Sequence, residues 1–459
     1  MRIVLATAEL SPVAAVGGLA QAATGLVREL RRQGVEVEVA LPDYTSDELA
    51  GEERIELDVP AWAAPAVARR GEHGTFGGSV TLVSTPGIER PHPYQDATGE
   101  GWADNDARFF AFAAAVAALA RSAGHEVVHL NDWHTAAAAS WLHGEIPVVL
   151  SVHNLAYQGW AGLEWIQRLG PHAAAFARDG ACNPLAGAIA LADAVVVVSP
   201  TFREEVLLPQ TGAGLDGLLR EKGDALVGIL NGIDADDWNP EADPHLPASF
   251  GAGDLAGKAL ARAALVGRLG LPELAGPLAV SVTRLAEQKG IDLLLPLVPE
   301  LDRLSLQVAI LGSGDAALAS ALREAAAAHP SSLAYVEAYD ESLAHLLFAG
   351  GDLFLMPSRF EPCGLGQMQA MRYGTLPVVT DVGGLHDTVV DLDDDPASGT
   401  GWRAPVPDTA SFRDALVRAV RGWSDLEIRA GAQRRGMTSD WSWSEPAAQY
   451  AELYGRLAQ

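Results

Sequence analysis

Residues 353–367 are Leu-Phe-Leu-Met-Pro-Ser-Arg-Phe-Glu-Pro-Cys-Gly-Leu-Gly-Gln. The four apolar residues at the start predict a strand that is buried on both faces, and the small residues at the end predict a turn that opens a helix. Ligands of open parallel sheets bind where such strands end, and the amides of Gly364, Leu365 and Gly366 would face them. The stretch therefore predicts a doubly wound α/β domain with an anion site.

The same alternation of apolar strand and amphipathic helix extends over both halves of the chain. In the second half it predicts strands at 278–283, 306–311, 333–336, 353–356 and 376–380, with helices from 290, at 316–328 and at 341–349. In the first half it predicts strands at 2–7, 35–41, 127–130, 148–152 and 194–198, with helices at 19–33, 105–122 and 134–143. Turn-rich sequence around residue 240 separates two Rossmann-like domains, 1–240 and 241–438.

Composition narrows the class of protein. The 459-residue chain is 49% apolar and carries a formal net charge of −27, which would repel nucleic acid and anionic membranes. No apolar run approaches the ~18 residues of a membrane helix, so a cytoplasmic protein is expected. The two cysteines give no disulfide framework and no cysteine metal cluster, and we expect neither a metal nor a cofactor.

Two cations follow the first strand of the second half. Arg284 and Lys289 lie at the carboxyl edge of the predicted sheet, where they could neutralise a diphosphate without a metal. The alternative is an ordinary surface pair with a carboxylate. Because the chain has only three lysines among 32 basic residues, a lysine retained beside Gly290 favours a site that needs a compact ammonium.

The remaining candidates each have a structural alternative. Glu361 could accept hydrogen bonds from a sugar or could be a solvated loop charge, and Cys363 favours packing over nucleophilic chemistry. His134 could contact a ligand or could be a packed histidine. Gly17 and Gly18 could let an anion approach the first helix, or could serve only a tight turn.

Taken together, the motifs resemble the bacterial glycogen synthase and plant starch synthase family over nearly the whole chain. The matching segments occur in the family's order, at residues 16–19, 103–109, 131–134, 152–159, 198–201, 229–240, 284–290, 358–365, 373–377 and 383–385. The resemblance implies the GT-B fold, with two Rossmann-like domains facing a central cleft. It also implies a C-terminal helix within residues 439–459 that crosses back to the first domain.

The resemblance further implies retaining, metal-independent transfer of glucose from ADP-glucose to a glucan hydroxyl. Its partners would be a nucleotide-activated sugar and a carbohydrate-like acceptor. In that interpretation the catalytic set is His134, Arg284, Lys289 and Glu361. The donor contacts would be Gly17, Gly18, Asn231, Tyr339, Cys363, Gly364, Leu365 and Gly366, with Tyr339 stacked on the base.

Several positions depart from the family pattern. The family has lysine where this chain has Ala15 and Ala186, and an acidic residue where it has Gln21. The usual threonine is replaced by Gly366, and an Arg-x-Thr segment by Thr380-Asp381-Val382. The first hypothesis is a glycogen synthase-like enzyme. One alternative is a diverged enzyme that couples another activated sugar or cyclitol to a small acceptor, and another is an inactive sugar-binding relative.

Overall fold

The computed structural model describes every residue from Met1 to Gln459 and divides the chain into two units. The first unit comprises Met1–Gly232 together with Trp443–Gln459, and the second comprises Ile233–Ser442. The boundaries at 232/233 and 442/443 differ by eight and four residues from 240/241 and 438/439, the boundaries suggested by the sequence. The C-terminal segment belongs to the first unit.

The first unit is built on a nine-stranded sheet in the order β11-β10-β7-β6-β1-β2-β5-β4-β3. Strands β1, β2, β5, β6, β7, β10 and β11 pair in parallel, whereas β3, β4 and β5 form an antiparallel edge. A separate two-stranded ribbon joins β8 to β9. The strands are β1 Arg2–Ala6, β2 Glu36–Pro42, β3 Ala50–Glu56, β4 Val67–His73, β5 Gly78–Ser84, β6 Val127–Asn131, β7 Val148–Val152, β8 Ala177–Arg178, β9 Ala181–Cys182, β10 Ala194–Val197 and β11 Leu226–Gly228.

Helices cover this sheet and bury its apolar strands. Gly124, with φ of 65°, ends the long second helix in the left-handed conformation that favours glycine. The helices are α1 Gly18–Arg32, α2 Asn105–Ala123, α3 Asp132–Ala136, α4 Ala139–Leu142, α5 Pro184–Leu191, α6 Pro200–Glu205 and α7 Asp216–Lys222, and the unit is completed by the C-terminal helix described below.

The second unit has a six-stranded, wholly parallel sheet in the order β14-β13-β12-β15-β16-β17. Its strands are β12 Leu278–Val282, β13 Gln307–Leu311, β14 Leu333–Val336, β15 Leu353–Met356, β16 Leu376–Thr380 and β17 Trp402–Ala404. Its helices are α8 Ala256–Leu269, α9 Ala316–Ala328, α10 Glu341–Gly350, α11 Gly366–Arg372, α12 Gly383–Thr388, α13 Thr409–Ser424 and α14 Leu426–Thr438. Two Rossmann-like α/β units with parallel sheets confirm the predicted fold class.

Two local predictions were wrong. The helix expected from residue 290 is instead a series of short 3-10 turns at Ile291–Leu293 and Leu295–Glu300. Pro296 and Pro299 lack the amide hydrogens that a continuous α-helix would require. The single helix expected at 134–143 is divided into α3 and α4.

The C-terminal helix, α15 (Ser444–Leu457), packs against α1 and the sheet of the first unit. Its Tyr454 hydroxyl lies 2.7 Å from Nδ1 of His129 in β6, and the Nε2 atom of that ring lies 2.7 Å from the Ser151 hydroxyl of β7. The Tyr450 hydroxyl lies 3.0 Å from the same serine. A buried hydrogen-bond network therefore ties the helix to the two central strands.

None of the helices is both long enough and apolar enough to cross a membrane.

Candidate active site

A charged site of the second unit joins the loops that follow β12 and β15. These strands are parallel neighbours, so the segments at their carboxyl ends meet at one edge of the sheet. Lys289, after β12, donates a 2.6 Å hydrogen bond to Oε2 of Glu361, after β15. The buried Ser358 hydroxyl donates to the same oxygen at 3.0 Å, so the carboxylate is held by two donors. The predicted candidates Lys289 and Glu361 are thus in direct contact.

Glycine at position 290 is needed for this contact. Gly290 adopts φ of +64°, and a Cβ atom there would lie 2.0 Å from the carbonyl oxygen of Pro357. The two loops therefore approach more closely than any side chain would permit. The close approach sets Lys289 opposite Glu361.

Arg284 differs from Lys289 in its electrostatic surroundings. Its side chain is exposed, and its guanidinium makes neither a hydrogen bond nor an ion pair within the protein. The charge of Lys289 is balanced by Glu361 at 2.6 Å. An anion arriving at this edge would meet one uncompensated cation and one that is shared with a carboxylate.

The other predicted donor contacts of the second unit surround this edge. Cys363 is buried, and Gly364 (φ of 72°) precedes the first turn of α11, which begins at Gly366. The Gln367 side chain donates to the carbonyl oxygen of Gly364 at 2.9 Å and so holds the loop. Tyr339 is 91% exposed, which leaves both ring faces accessible for stacking.

In the first unit, Glu9 organises the loop between β1 and α1. Its Oε2 atom accepts hydrogen bonds from the amides of Val16 and Gly17 at 2.9 and 2.8 Å, and its Oε1 atom accepts the Tyr94 hydroxyl at 2.6 Å. The Gly17 amide is thus already used within the protein. The sequence pattern did not predict this role of Glu9.

The two glycines of this loop are not required by the backbone. Gly17 has an extended φ of −156°, and Gly18 does not adopt a positive φ. A Cβ atom at either position would meet nothing within 4 Å. Any L-residue could adopt the Gly17 conformation, so the tight-turn alternative lacks support at that position.

A second polar group lies where β6 and β7 end. Nε2 of His153 is 2.9 Å from Oδ1 of Asn131, and the His153 amide donates to Oδ1 of Asp132 at 2.8 Å. Burial raises the pKa of the Asp132 carboxyl to about 7 and lowers the pKa of His153 to about 4. At neutral pH the imidazole is therefore neutral. The carboxyl lies near its titration midpoint.

Asp132 and His153 lie in segments that match the family pattern, at residues 131–134 and 152–159, but no role was predicted for either. Asp132 has a positive φ of 52°, which is uncommon for a residue other than glycine. Its place directly after a buried strand was the available signal. The neighbouring His134 was selected instead.

His134 has a different environment. Its ring packs against Tyr94, Phe109 and Trp133 with centroid separations of 4.9, 4.7 and 4.3 Å. Burial lowers the pKa of His134 to about 3, and its Nδ1 atom has no hydrogen-bond partner. The contacts describe a packed, neutral ring with one unsatisfied nitrogen. The predicted role at a sugar stays a prediction.

The positions that depart from the family pattern fall into two kinds. Ala15 and Gln21 are exposed on the loop and the first turns of α1. Ala186 is buried within α5, where a lysine would bring its charge into the protein interior. Asn231, after β11, is buried and its Oδ1 atom has no hydrogen-bond partner. Of the three departures in the first unit, Ala15 and Gln21 are therefore exposed and Ala186 is not.

No group of three or more histidine, cysteine, aspartate or glutamate side chains is arranged to hold a metal ion.

Comparisons with known proteins agree over the whole chain. The family described as starch synthase catalytic domain matches residues 2–221, and the family described as glycosyl transferases group 1 matches residues 276–421. The glycogen synthase of Halorhodospira halophila is 42% identical, covering 100% of this chain and 99% of its own. The glycogen synthase of Acidiphilium cryptum is 39% identical at 100% and 99% coverage.

Solved structures give the same result. The catalytic domain of starch synthase IV from Arabidopsis thaliana, bound to ADP and acarbose, superposes with a TM-score of 0.89 at 32% identity, covering 100% of this chain and 99% of that one. A sucrose-phosphate synthase from Thermosynechococcus elongatus shares the fold with a TM-score of 0.64 at 19% identity, covering 99% and 98% of the two chains.

The raised pKa of Asp132 predicts a pH-dependent stability difference. A carboxyl whose folded-state pKa is raised contributes stability below about pH 4, and that contribution is lost as pH rises to about 7. Asp132→Asn keeps an acceptor for the His153 amide but cannot ionise. We expect the free energy of unfolding of Asp132→Asn, minus that of wild type, to increase by up to about 4 kcal/mol between pH 4 and pH 8. Thermal unfolding at several pH values measures this change.

Asp236→Asn, at an exposed carboxyl of the second unit, is the control and should show a nearly constant difference from wild type. A stability difference for Asp132→Asn that did not change with pH would contradict the buried, proton-sensitive carboxyl.

Proposed function

The chain belongs to the glycogen synthase and starch synthase family of glycosyltransferases, and from this premise we propose that it transfers glucose from ADP-glucose to the nonreducing end of an α-glucan. The observation that carries the proposal is the cation pair at the carboxyl edge of the second unit. There an unpaired Arg284 lies on the same loop as Lys289, which contacts Glu361 at 2.6 Å. The relatives are glycogen synthases, and the Arabidopsis enzyme was solved with ADP and acarbose.

The second unit supplies the groups that the donor needs. Cleavage of the bond between sugar and diphosphate develops negative charge on the leaving group, which fixed cations stabilise. Arg284 binds the diphosphate with its free guanidinium. Lys289 shares its charge between the diphosphate and Glu361, and the amides of residues 364–366 complete the anion contacts. The exposed Tyr339 ring stacks on the base.

Glu361 lies at the transferred sugar. Its carboxylate accepts hydrogen bonds from Lys289 and Ser358, which orient it beside the cations. A fixed carboxylate accepts hydrogen bonds from sugar hydroxyls and stabilises positive charge that develops at the anomeric carbon. Transfer proceeds with retention, by front-face attack in which a departing phosphate oxygen takes the acceptor proton.

The first unit supplies polar groups for the sugar and the acceptor. His153 is neutral at pH 7, so its imidazole can donate or accept a hydrogen bond without adding charge. We assign it to the sugar side of the reaction together with Asp132, and we retain His134 as a packed neighbour that orders this wall. Asn231 offers its unpartnered Oδ1 atom as a further acceptor.

Gly17 and Gly18 are assigned to close approach of the donor. Their Cβ positions are open and their conformations do not demand glycine, so the absence of side chains is explained by a ligand that comes near the backbone.

A second candidate function rests on the exposed Ala15. A diverged enzyme that uses another activated sugar or cyclitol and a small acceptor would have no need for the lysine of the family at this position. The similarity to glycogen synthases over the whole chain favours transfer of glucose to an α-glucan. The third test below distinguishes the two candidate functions.

The first test concerns the cations. We expect Arg284→Ala and Lys289→Ala each to lower kcat/KM for ADP-glucose with glycogen by about 10- to 100-fold, because each removes a charge-assisted contact of ~1.5–3 kcal/mol with the leaving diphosphate. ADP release provides the assay. Arg323→Ala, which removes an exposed partner of Glu337, is the control. Unchanged rates in both site variants would remove the assignment.

A second test concerns the glycines. We expect Gly17→Ala to leave the Tm unchanged or slightly higher, because alanine restricts the unfolded chain by ~0.4–1 kcal/mol. Its kcat/KM should fall about tenfold or more, equivalent to at least ~1.4 kcal/mol of lost transition-state binding. Gly74→Ala, another position with no atom within 4 Å of the added Cβ, is the matched control. Full activity of Gly17→Ala would contradict the close approach of the donor to the backbone at Gly17.

The third test separates the two candidate functions. Ala15→Lys restores a cation at an exposed position of the loop after β1, and we expect it to raise the rate with ADP-glucose and glycogen. Ala61→Lys, at an exposed turn of the same unit, controls for added charge. Failure of wild type and Ala15→Lys to elongate glycogen, with turnover of another sugar nucleotide and a small acceptor, would favour the diverged enzyme.

A further inference from the structure

Asn131, the last residue of β6, is buried, and both ends of its side-chain amide make contacts. Its Nδ2 atom donates to the Ala6 carbonyl oxygen of β1 at 3.0 Å, and its Oδ1 atom lies 2.9 Å from Nε2 of His153. A backbone carbonyl oxygen can only accept a hydrogen bond, so the NH2 group of Asn131 must face Ala6. The Oδ1 atom, which also can only accept, must then face His153.

The reverse orientation of this amide is unfavourable. A flipped side chain would place its oxygen 3.0 Å from the Ala6 carbonyl oxygen, with no proton between the two. Both residues are buried, so water could not satisfy either oxygen. The backbone amide of Asn131 donates to the Thr135 hydroxyl at 2.8 Å, and this hydroxyl donates back to the Asn131 carbonyl oxygen at 2.9 Å. The residue is therefore held in one position and one orientation.

The orientation of Asn131 determines which ring nitrogen of His153 carries the proton. Because burial lowers the pKa of His153 to about 4, its ring holds a single proton at neutral pH. The nitrogen that contacts an amide oxygen must be the donor, and hence the proton lies on Nε2. The Nδ1 atom keeps its lone pair and can only accept a hydrogen bond.

The accepting nitrogen is available to a ligand. His153 is half-buried, and its Nδ1 atom has no hydrogen-bond partner within the protein. Unlike Nδ1 of the packed His134, it is not enclosed. The backbone amide of His153 donates to Oδ1 of Asp132 at 2.8 Å, which fixes the residue at the carboxyl edge of the sheet. Ligands of parallel sheets bind at this edge.

An accepting nitrogen selects its partner by chemistry, because a hydroxyl group can donate to it whereas phosphate oxygens offer only lone pairs. We propose that Asn131 is a positioning residue that holds His153 in the Nε2–H tautomer, so that Nδ1 accepts a hydrogen bond from a hydroxyl group of the sugar. The identity of the ligand rests on the proposed function. The tautomer rests on the contacts of Asn131 alone.

The experiment measures the tautomer in the enzyme without substrate. Protein labelled with 15N at its histidines is studied near neutral pH by long-range proton–nitrogen correlation NMR, which distinguishes protonated from unprotonated ring nitrogens. His153→Gln identifies the signals of His153. Wild type is compared with Asn131→Leu, which has a similar volume but no acceptor, and with Asn131→Asp, which keeps an acceptor oxygen. Asn183→Leu is the matched control, because Asn183 is also buried and donates to the Gln158 side chain at 2.7 Å.

We expect Nε2 of His153 to be protonated in wild type, in Asn131→Asp and in Asn183→Leu. In Asn131→Leu the Nδ1–H form should become populated, because a buried N–H group without an acceptor is unfavourable and Nδ1 can donate to water. An Nδ1–H tautomer in wild type or in Asn131→Asp would overturn the proposal, and so would an unchanged tautomer in Asn131→Leu.

Kinetics and binding test the contact with the sugar. We expect Asn131→Leu to lower kcat/KM for ADP-glucose by about tenfold or more, while the Kd for ADP, which carries no glucose, stays within about twofold of the wild-type value. An equal loss of affinity for ADP would overturn the sugar contact. Absence of transfer from ADP-glucose by wild type contradicts the proposed function, whereas the tautomer is measured without substrate and tests Asn131 independently.

Discussion

Parallel pairing of neighbouring strands is the constraint on which both polar sites depend. Parallel strands end on the same side of a sheet, so the loops after β12 and β15 must meet, as must those after β6 and β7. The first meeting creates the Lys289–Glu361 contact at 2.6 Å. The second places the His153 amide on Asp132 at 2.8 Å. The order of the strands in the sheet therefore determines where each polar contact forms.

The two sites use burial in opposite ways. In the second unit, Glu361 is buried but remains stabilised by a lysine and a hydroxyl, because a paired charge recovers part of its desolvation cost. In the first unit, Asp132 is near Glu9 and has no cation at its side, so burial raises its pKa to about 7. The site in the second unit therefore carries a paired charge, whereas the Asp132 carboxyl of the first unit changes its charge near neutral pH.

The sequence predicted the fold well because strands buried on both faces are apolar throughout. Strand β15 and helix α9 have the predicted limits, since an apolar run and an alanine-rich segment between turn residues leave little choice. The antiparallel edge β3–β5 was not predicted. Its first strand, Ala50–Glu56, is largely exposed and has no apolar face to reveal it. A buried strand can be recognised by its apolar residues, and an exposed edge strand such as β3 lacks them.

The site was predictable only in part. Arg284, Lys289 and Glu361 could be selected because each follows a buried apolar strand of the second unit, and Lys289 and Glu361 are in contact. Glu9 and Asp132 instead accept hydrogen bonds from backbone amides, and composition and spacing do not report which amides a carboxylate meets. Ala186 shows the converse problem. A missing lysine suggested a change at a ligand wall, whereas the residue is buried in α5.

The C-terminal helix gives the first unit a discontinuous sequence. Residues 1–232 cannot complete their core until Trp443, Tyr450 and Tyr454 have been made, because these side chains belong to the cluster that covers β1 and α1. The second unit is encoded as one uninterrupted segment and is synthesised before them. During translation, helix α15 of the first unit therefore leaves the ribosome only after the whole second unit has left the exit tunnel. A nonsense mutation at codon 443 would leave the second unit intact and would remove Trp443, Tyr450 and Tyr454 from the core of the first unit.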